Sequence, residues 1–106
     1  QGIQAANVLE AIAQVPREAF IAPALASQAY DNTTLPIAEG QTISQPYVVA
    51  FMTQTLDLQP THKVLEIGTG CGYQTALLCR LARRVYTIER FKSLSQTAEA
   101  ALQRLG

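Results

Sequence analysis

Apolar residues recur at helical spacing along the opening of the chain. Val8, Ile12 and Val15 stand at i, i+4 and i+7 with Leu9 beside them, which predicts a helix carrying one apolar stripe. Pro16 interrupts the pattern and starts a new helical turn through Arg17, Glu18 and Phe20. A second short helical segment is predicted from Pro23 to about Tyr30, and Asp31-Asn32 marks a turn. From Thr33 to Gln45 the composition shifts to Pro, Gly, Thr, Ser and Gln, the mark of a long loop; its Leu35, Ile37 and Ile43 predict that it is ordered. Ser44-Gln45-Pro46 then opens a helix with Val48, Phe51, Met52 and Leu56 on one face. Phe20, Phe51 and Met52 are core candidates.

The pattern changes after a connector from Leu58 to His62 that contains Pro60. Lys63 to Ile67 (KVLEI) is an apolar run of strand length, followed at once by Gly68-Thr69-Gly70-Cys71-Gly72. Tyr73 to Arg83 reads as a helix carrying Ala76, Leu77, Leu78 and Leu81, and Val85 to Glu89 (VYTIE) as a second strand. Leu94, Ala98, Ala101, Leu102 and Leu105 mark a last helix, with Gly106 as its C′ residue. Strand, glycine turn, helix, strand, helix is the opening of an open, parallel α/β sheet.

Composition narrows the function classes. With 106 residues, 48% hydrophobic and 15% charged, the chain is a small folded domain and not a disordered segment. Eight basic residues balance eight acidic ones, which leaves no electrostatic footprint for nucleic acid or an anionic membrane. Cys71 and Cys79 are too few for a disulfide scaffold and fit a reducing, cytoplasmic setting. With His62 as the one histidine, they make no metal site. Cys71 stands near a helix start, which predicts a lowered pKa. His62, Arg80, Arg83, Arg84 and Arg90 read as solvated surface, while Tyr47 and Tyr73 fit either a cleft or the core. The chain starts at Gln1 and stops at Gly106, directly after a helix; the expectation is a piece of a longer protein.

The glycine turn carries the first chemical signal. Gly68 and Gly70 allow a tight turn and a close backbone approach, with N–H groups expected at a ligand's edge. Glu89 ends the second strand 21 positions after Gly68, where an acid accepts hydrogen bonds from ribose hydroxyls. A dinucleotide fingerprint requires Gly or Ala where Tyr73 stands, and no Gly-Lys-Ser/Thr follows as in a P-loop. Glu66, near the turn, disfavours a pyrophosphate and suits a cationic ligand. S-adenosylmethionine has a sulfonium, an ammonium and no phosphate, so it fits Glu66, Gly68, Thr69, Gly70, Gly72 and Glu89 best. A nicotinamide-dependent oxidoreductase and a purely structural glycine turn are the competing readings. Ser44, judged by its neighbours alone, reads as an N-cap, a role worth roughly 1 kcal/mol.

Three stretches carry a resemblance: VPREAF (Val15 to Phe20), LPIAEGQTISQPYVVAFM (Leu35 to Met52), and VLEIGTGCGYQTALL (Val64 to Leu78) with VYTIER (Val85 to Arg90). Together they resemble the protein-L-isoaspartate (D-aspartate) O-methyltransferases. The glycine motif is shared by many methyltransferases, whereas GQTISQP (Gly40 to Pro46) is far more specific. Cys71 stands where the family usually has a small residue such as Ser.

The resemblance implies an N-terminal helical and substrate-loop segment over residues 1–61. Residues 62–106 would then be the start of a Rossmann-like methyltransferase domain, an incomplete α/β fold with only its first βαβα. It implies transfer of a methyl group from S-adenosylmethionine to the free α-carboxylate of isoaspartyl residues in damaged proteins and peptides. That carboxylate has an ordinary pKa near 4 and is already ionised, so the site needs orientation and hydrogen-bond donors and no general base. Thr42 and Ser44 are the implied substrate-facing residues, Ser44 with the active-site role. From a different class comes the expectation of a non-catalytic fragment that is stabilised by self-association, because two strands leave a sheet edge and apolar surface uncovered.

Overall fold

The first helix, α1 (Ala6–Gln14), buries Val8 and Ala11, and Val15 directly after it is buried too. Val8 and Val15 hold the predicted stripe, with Ala11 buried between them, whereas Ile12 is only partly buried and Leu9 is half exposed. The computed structural model describes residues 5–105; the predicted cap Gly106 lies outside them. Pro16 ends the first pattern as expected, because its ring blocks helix continuation, and a 3-10 turn follows over Arg17–Phe20. Pro23 opens a second 3-10 segment, Pro23–Gln28.

The long loop folds into a small antiparallel hairpin, β1 (Leu35–Pro36) against β2 (Thr42–Ile43), with Leu35 opposite Ile43. Both apolar partners are buried, each worth about 1.5–3 kcal/mol, which is why the loop is ordered. At its tip Glu39 (φ 62°) and Gly40 (φ 67°) adopt the left-handed region that reverses the chain.

Helix α2 (Pro46–Leu56) departs from the predicted face. Val49, Ala50 and Thr53 are buried, while Phe51, Met52 and Leu56 are about half exposed. Thr53 fits the core because its hydroxyl donates to the Val49 carbonyl at 2.7 Å, which satisfies its polar group within the helix. Phe51 and Met52 are therefore not core residues.

Strand β3 (Lys63–Ile67) leads through the glycine turn into α3 (Tyr73–Leu81), and β4 (Arg84–Ile88) pairs parallel with β3. Helix α4 (Lys92–Leu105) closes the described chain and buries Leu94, Ala98 and Ala101. One core runs from Val8 and Val15 through Phe20, Leu35 and Val49 to Leu77 and Leu81. Register places Leu65 beside Tyr86 and Ile67 beside Ile88 on the face away from that core, and all four are more than half exposed. Parallel strands ordinarily have both faces covered.

Candidate functional site

A cavity of about 650 Å³ opens at the C-terminal end of β3. Thr42 and Ser44 from the hairpin, Gly68, Thr69 and Gly70 from the turn, and Glu66 from β3 all line it. The apolar wall comes from α2 and β3, including Phe51, Met52 and Ile67. Six of the residues singled out by sequence thus share one concave space, at the strand end where open α/β sheets place ligands. Gly72 and Glu89 are not part of its lining.

Gly68 (φ 93°), Gly70 (φ 57°) and Gly72 (φ 94°) all lie in the left-handed region, so the turn needs residues without a Cβ. Their surroundings differ. A Cβ at Gly68 would meet open space, whereas one at Gly72 would stand 3.1 Å from the Ala98 Cβ. Gly72 is required for α4 and Phe20 to approach the turn, which is a packing role.

The turn's N–H groups face inward, contrary to the expectation that they edge a ligand. Gly68 and Thr69 donate to the Ile88 carbonyl at 2.7 and 3.1 Å, and Gly72 donates to the Thr69 carbonyl at 3.0 Å. Gly70 donates to Glu89 Oε1 at 2.8 Å. These four donors are spent within the protein, and among the described residues no Lys or Arg lines the cavity. A phosphate at the glycine turn would find neither a free turn N–H nor a basic side chain in the lining.

Glu89 joins the turn to α4, for its Oε2 accepts the Phe91 N–H at 2.9 Å. The Phe91 and Gly70 donors hold its carboxyl below the ordinary carboxylate pKa. Each oxygen keeps lone-pair capacity for a further donor, as a pair of ribose hydroxyls would need. Glu66 is engaged by threonines: Thr75 and Thr87 both donate to its Oε1, Thr87 at 2.7 Å. Thr69 shares a hydrogen bond with Thr87, so its hydroxyl belongs to the same network.

Ser44 is exposed to the cavity and does not cap α2. The N-cap position falls on Gln45, and the Tyr47 N–H is taken at 3.3 Å by Asn32 Oδ1 from fifteen residues upstream. The cap reading of Ser44 is thereby corrected, because the tertiary fold brings in another acceptor. Asn32 was legible in sequence only as a turn residue.

Two further residues lie within the stretches that carry the resemblance, but the sequence does not single them out as site residues. Gln74 lines the cavity and donates to Thr53 Oγ1 at 2.7 Å, leaving its buried Oε1 without a donor among the described residues. Arg17, read as part of a helical turn, is fully buried and donates from Nη1 to the Ser44 carbonyl at 3.0 Å. Burial pushes the Cys71 thiol up, which overturns the predicted lowering: desolvation outweighs the helix start and the nearby Arg17 charge. Tyr73 is buried at the base of the cavity with its pKa pushed up to about 12, chiefly by desolvation. His62 and the four arginines 80, 83, 84 and 90 are exposed as expected. Among the described residues no cluster of His, Cys, Asp or Glu forms a metal site, and no helix is long and apolar enough to cross a membrane.

Comparison with known proteins adds a family to this geometry. Residues 1–106 match the family described as protein-L-isoaspartate(D-aspartate) O-methyltransferase. A protein-L-isoaspartate O-methyltransferase of Rhodospirillum rubrum is 63% identical over 105 residues, covering 99% of this chain and 48% of the relative. One from Vibrio cholerae is 58% identical, covering 99% of this chain and 50% of the relative. The chain therefore spans about half the length of the curated relatives it matches. Among solved structures, a Plasmodium falciparum protein of this kind in complex with S-adenosyl-L-homocysteine superposes with a TM-score of 0.82 at 26% identity. It covers 97% of this chain and 50% of the other. A second, a protein-L-isoaspartate O-methyltransferase, gives a TM-score of 0.84 at 28% identity, covering 99% and 35%. The family match spans the whole chain and the fold superposes on these relatives, and the chain belongs to the protein-L-isoaspartate(D-aspartate) O-methyltransferase family.

Proposed function

We propose that this chain is the cofactor and substrate-loop half of a protein repair methyltransferase. The enzyme would transfer a methyl group from S-adenosylmethionine to the free α-carboxylate of L-isoaspartyl (and D-aspartyl) residues in damaged proteins, in the cytoplasm. One observation carries the reading: the cavity brings Ser44 and Thr42 against a glycine turn whose donors are spent, and among the described residues the one charged side chain in its lining is Glu66. That surrounding fits a cationic ligand without phosphate, and the relative that binds S-adenosyl-L-homocysteine supports the same ligand class.

When bound, S-adenosylmethionine supplies the methyl group. Glu89 would hold the ribose through the lone pairs left free by Gly70 and Phe91. Glu66 contributes negative charge, and the Gly68 and Gly70 carbonyls, which no backbone donor takes among the described residues, suit an ammonium. Ser44 and Thr42 would orient the substrate carboxylate by neutral hydroxyl donors, which position it without the strong attraction of a fixed cation in direct contact. Phe51, Met52 and Ile67 give the approach an apolar wall.

The uncovered face of Leu65, Ile67, Tyr86 and Ile88 favours a second reading, that these 106 residues alone are inactive or self-associate. Calorimetric titration with S-adenosylmethionine and with NAD separates the cases. The full-length protein carrying this chain is expected to bind S-adenosylmethionine and not NAD. Tight binding by the 106 residues alone would remove the second reading, and NAD binding in place of S-adenosylmethionine would overturn the first.

A further inference from the structure

Arg17 has no accessible surface, yet among the described residues no carboxylate pairs with it. Its Nη1 donates to the Ser44 carbonyl at 3.0 Å, while Nε and Nη2 have no hydrogen-bond partner among the described residues. Its guanidinium lies 5.4 Å from the Tyr73 ring centroid, at the first turn of α3 directly after Gly72. The turn that carries it is itself braced. The Arg17 N–H donates to Tyr30 Oη at 3.1 Å, Tyr30 donates to Glu18 Oε1 at 2.6 Å, and Phe20 meets Tyr73 edge-on at 5.7 Å.

Packing does not account for this residue. Methionine would fill similar space without desolvating a cation, and a buried charge without a counter-ion is costly. What arginine adds is a fixed donor to Ser44 and a positive charge beneath the substrate loop. Ser44 has its carbonyl held from below and its side chain free at the cavity, since Asn32 supplies the α2 cap.

We infer that Arg17 is a positioning residue that fixes the Ser44 peptide against the cofactor turn and favours a carboxylate ligand at Ser44. The inference rests on the reading of Ser44 as the substrate-carboxylate contact. Arg17 acts through Ser44 and does not itself touch the substrate. It ties together three stretches far apart in sequence, namely the 3-10 turn, the hairpin exit and the start of α3. Its influence therefore falls on the substrate side of the cavity and spares Glu89 and Gly68, which it does not contact.

The test uses the full-length protein, with Arg17→Met and Arg17→Lys. Four quantities are measured: methylation kinetics on an isoaspartyl peptide, calorimetric peptide binding, the S-adenosylmethionine Kd, and the melting temperature. Arg17→Met is expected to raise the peptide KM and Kd about tenfold, with the cofactor Kd within about twofold of wild type. Arg17→Lys keeps the charge and loses the planar fork, so a rise of about threefold is expected. Unchanged peptide KM and Kd in Arg17→Met would overturn the inference, as would a cofactor Kd that rises in step with them. If Arg17→Met does not fold, Arg17→Lys decides by the same criterion, and an unchanged KM overturns it. Wild-type protein that neither binds nor methylates the isoaspartyl peptide refutes the underlying reading instead, whatever the variants do.

Discussion

Gly70 donates its backbone N–H to Oε1 of Glu89 at 2.8 Å, which locks the glycine turn to the end of β4. One carboxylate thus shapes the turn and, in the proposed function, holds the ribose. Glu89→Gln keeps the size and removes the charge and one acceptor. S-adenosylmethionine affinity is expected to fall about tenfold or more in calorimetry. The lowered pKa of Glu89 gives the pH dependence its sign. Stability from this group is fully present above the ordinary carboxylate pKa of about 4.3 and is lost as pH falls through the lower folded value. Acid titration of the melting temperature should therefore show a steeper loss in wild type than in Glu89→Gln.

Ser44 and Asn32 separate chemistry from capping. Ser44→Ala removes a hydroxyl that caps nothing, so stability should change by less than about 0.5 kcal/mol while kcat/KM on an isoaspartyl peptide falls about tenfold or more. Asn32→Ala removes the acceptor for Tyr47 and should cost about 0.5 kcal/mol or more in denaturant unfolding. The reverse pattern would return Ser44 to the role of a cap.

Gly72 and Gly68 share the same backbone region and differ in their neighbours. Gly72→Ala combines a strained φ of 94° with a Cβ 3.1 Å from Ala98, and should cost about 1–3 kcal/mol. Gly68→Ala meets open space and carries only the conformational cost, about 1 kcal/mol. Equal losses in thermal unfolding would contradict this division.

The sequence made the β3–turn–α3–β4 unit readable, because a short apolar run, three glycines and a second apolar run leave few other arrangements for Lys63 to Ile88. It also placed Thr42, Ser44, Glu66, Gly68, Thr69 and Gly70 in what proves to be one cavity. The face of α2 was misread for a physical reason. Its most apolar stripe, Phe51, Met52 and Leu56, points to the open side of the sheet, while Thr53 is buried by bonding back to Val49. Arg17 and Asn32 were illegible because their partners, Ser44 and Tyr47, are supplied by tertiary contact and not by spacing.

Ile67 and Ile88 are neighbours on the uncovered sheet face, 74% and 56% exposed. Expressed by itself, the 106-residue chain should self-associate in sedimentation equilibrium, and Ile67→Lys with Ile88→Lys should shift it toward monomer. A monomeric wild-type chain at high concentration would contradict this expectation.

Methyl transfer to an isoaspartyl carboxylate is read out as methyl-ester formation. Full-length protein carrying this chain is supplied with methyl-labelled S-adenosylmethionine and two peptides that differ only in an L-isoaspartyl or an L-aspartyl linkage. Base-labile label on the isoaspartyl peptide alone is the predicted result. Label on neither peptide, or equally on both, would contradict the account.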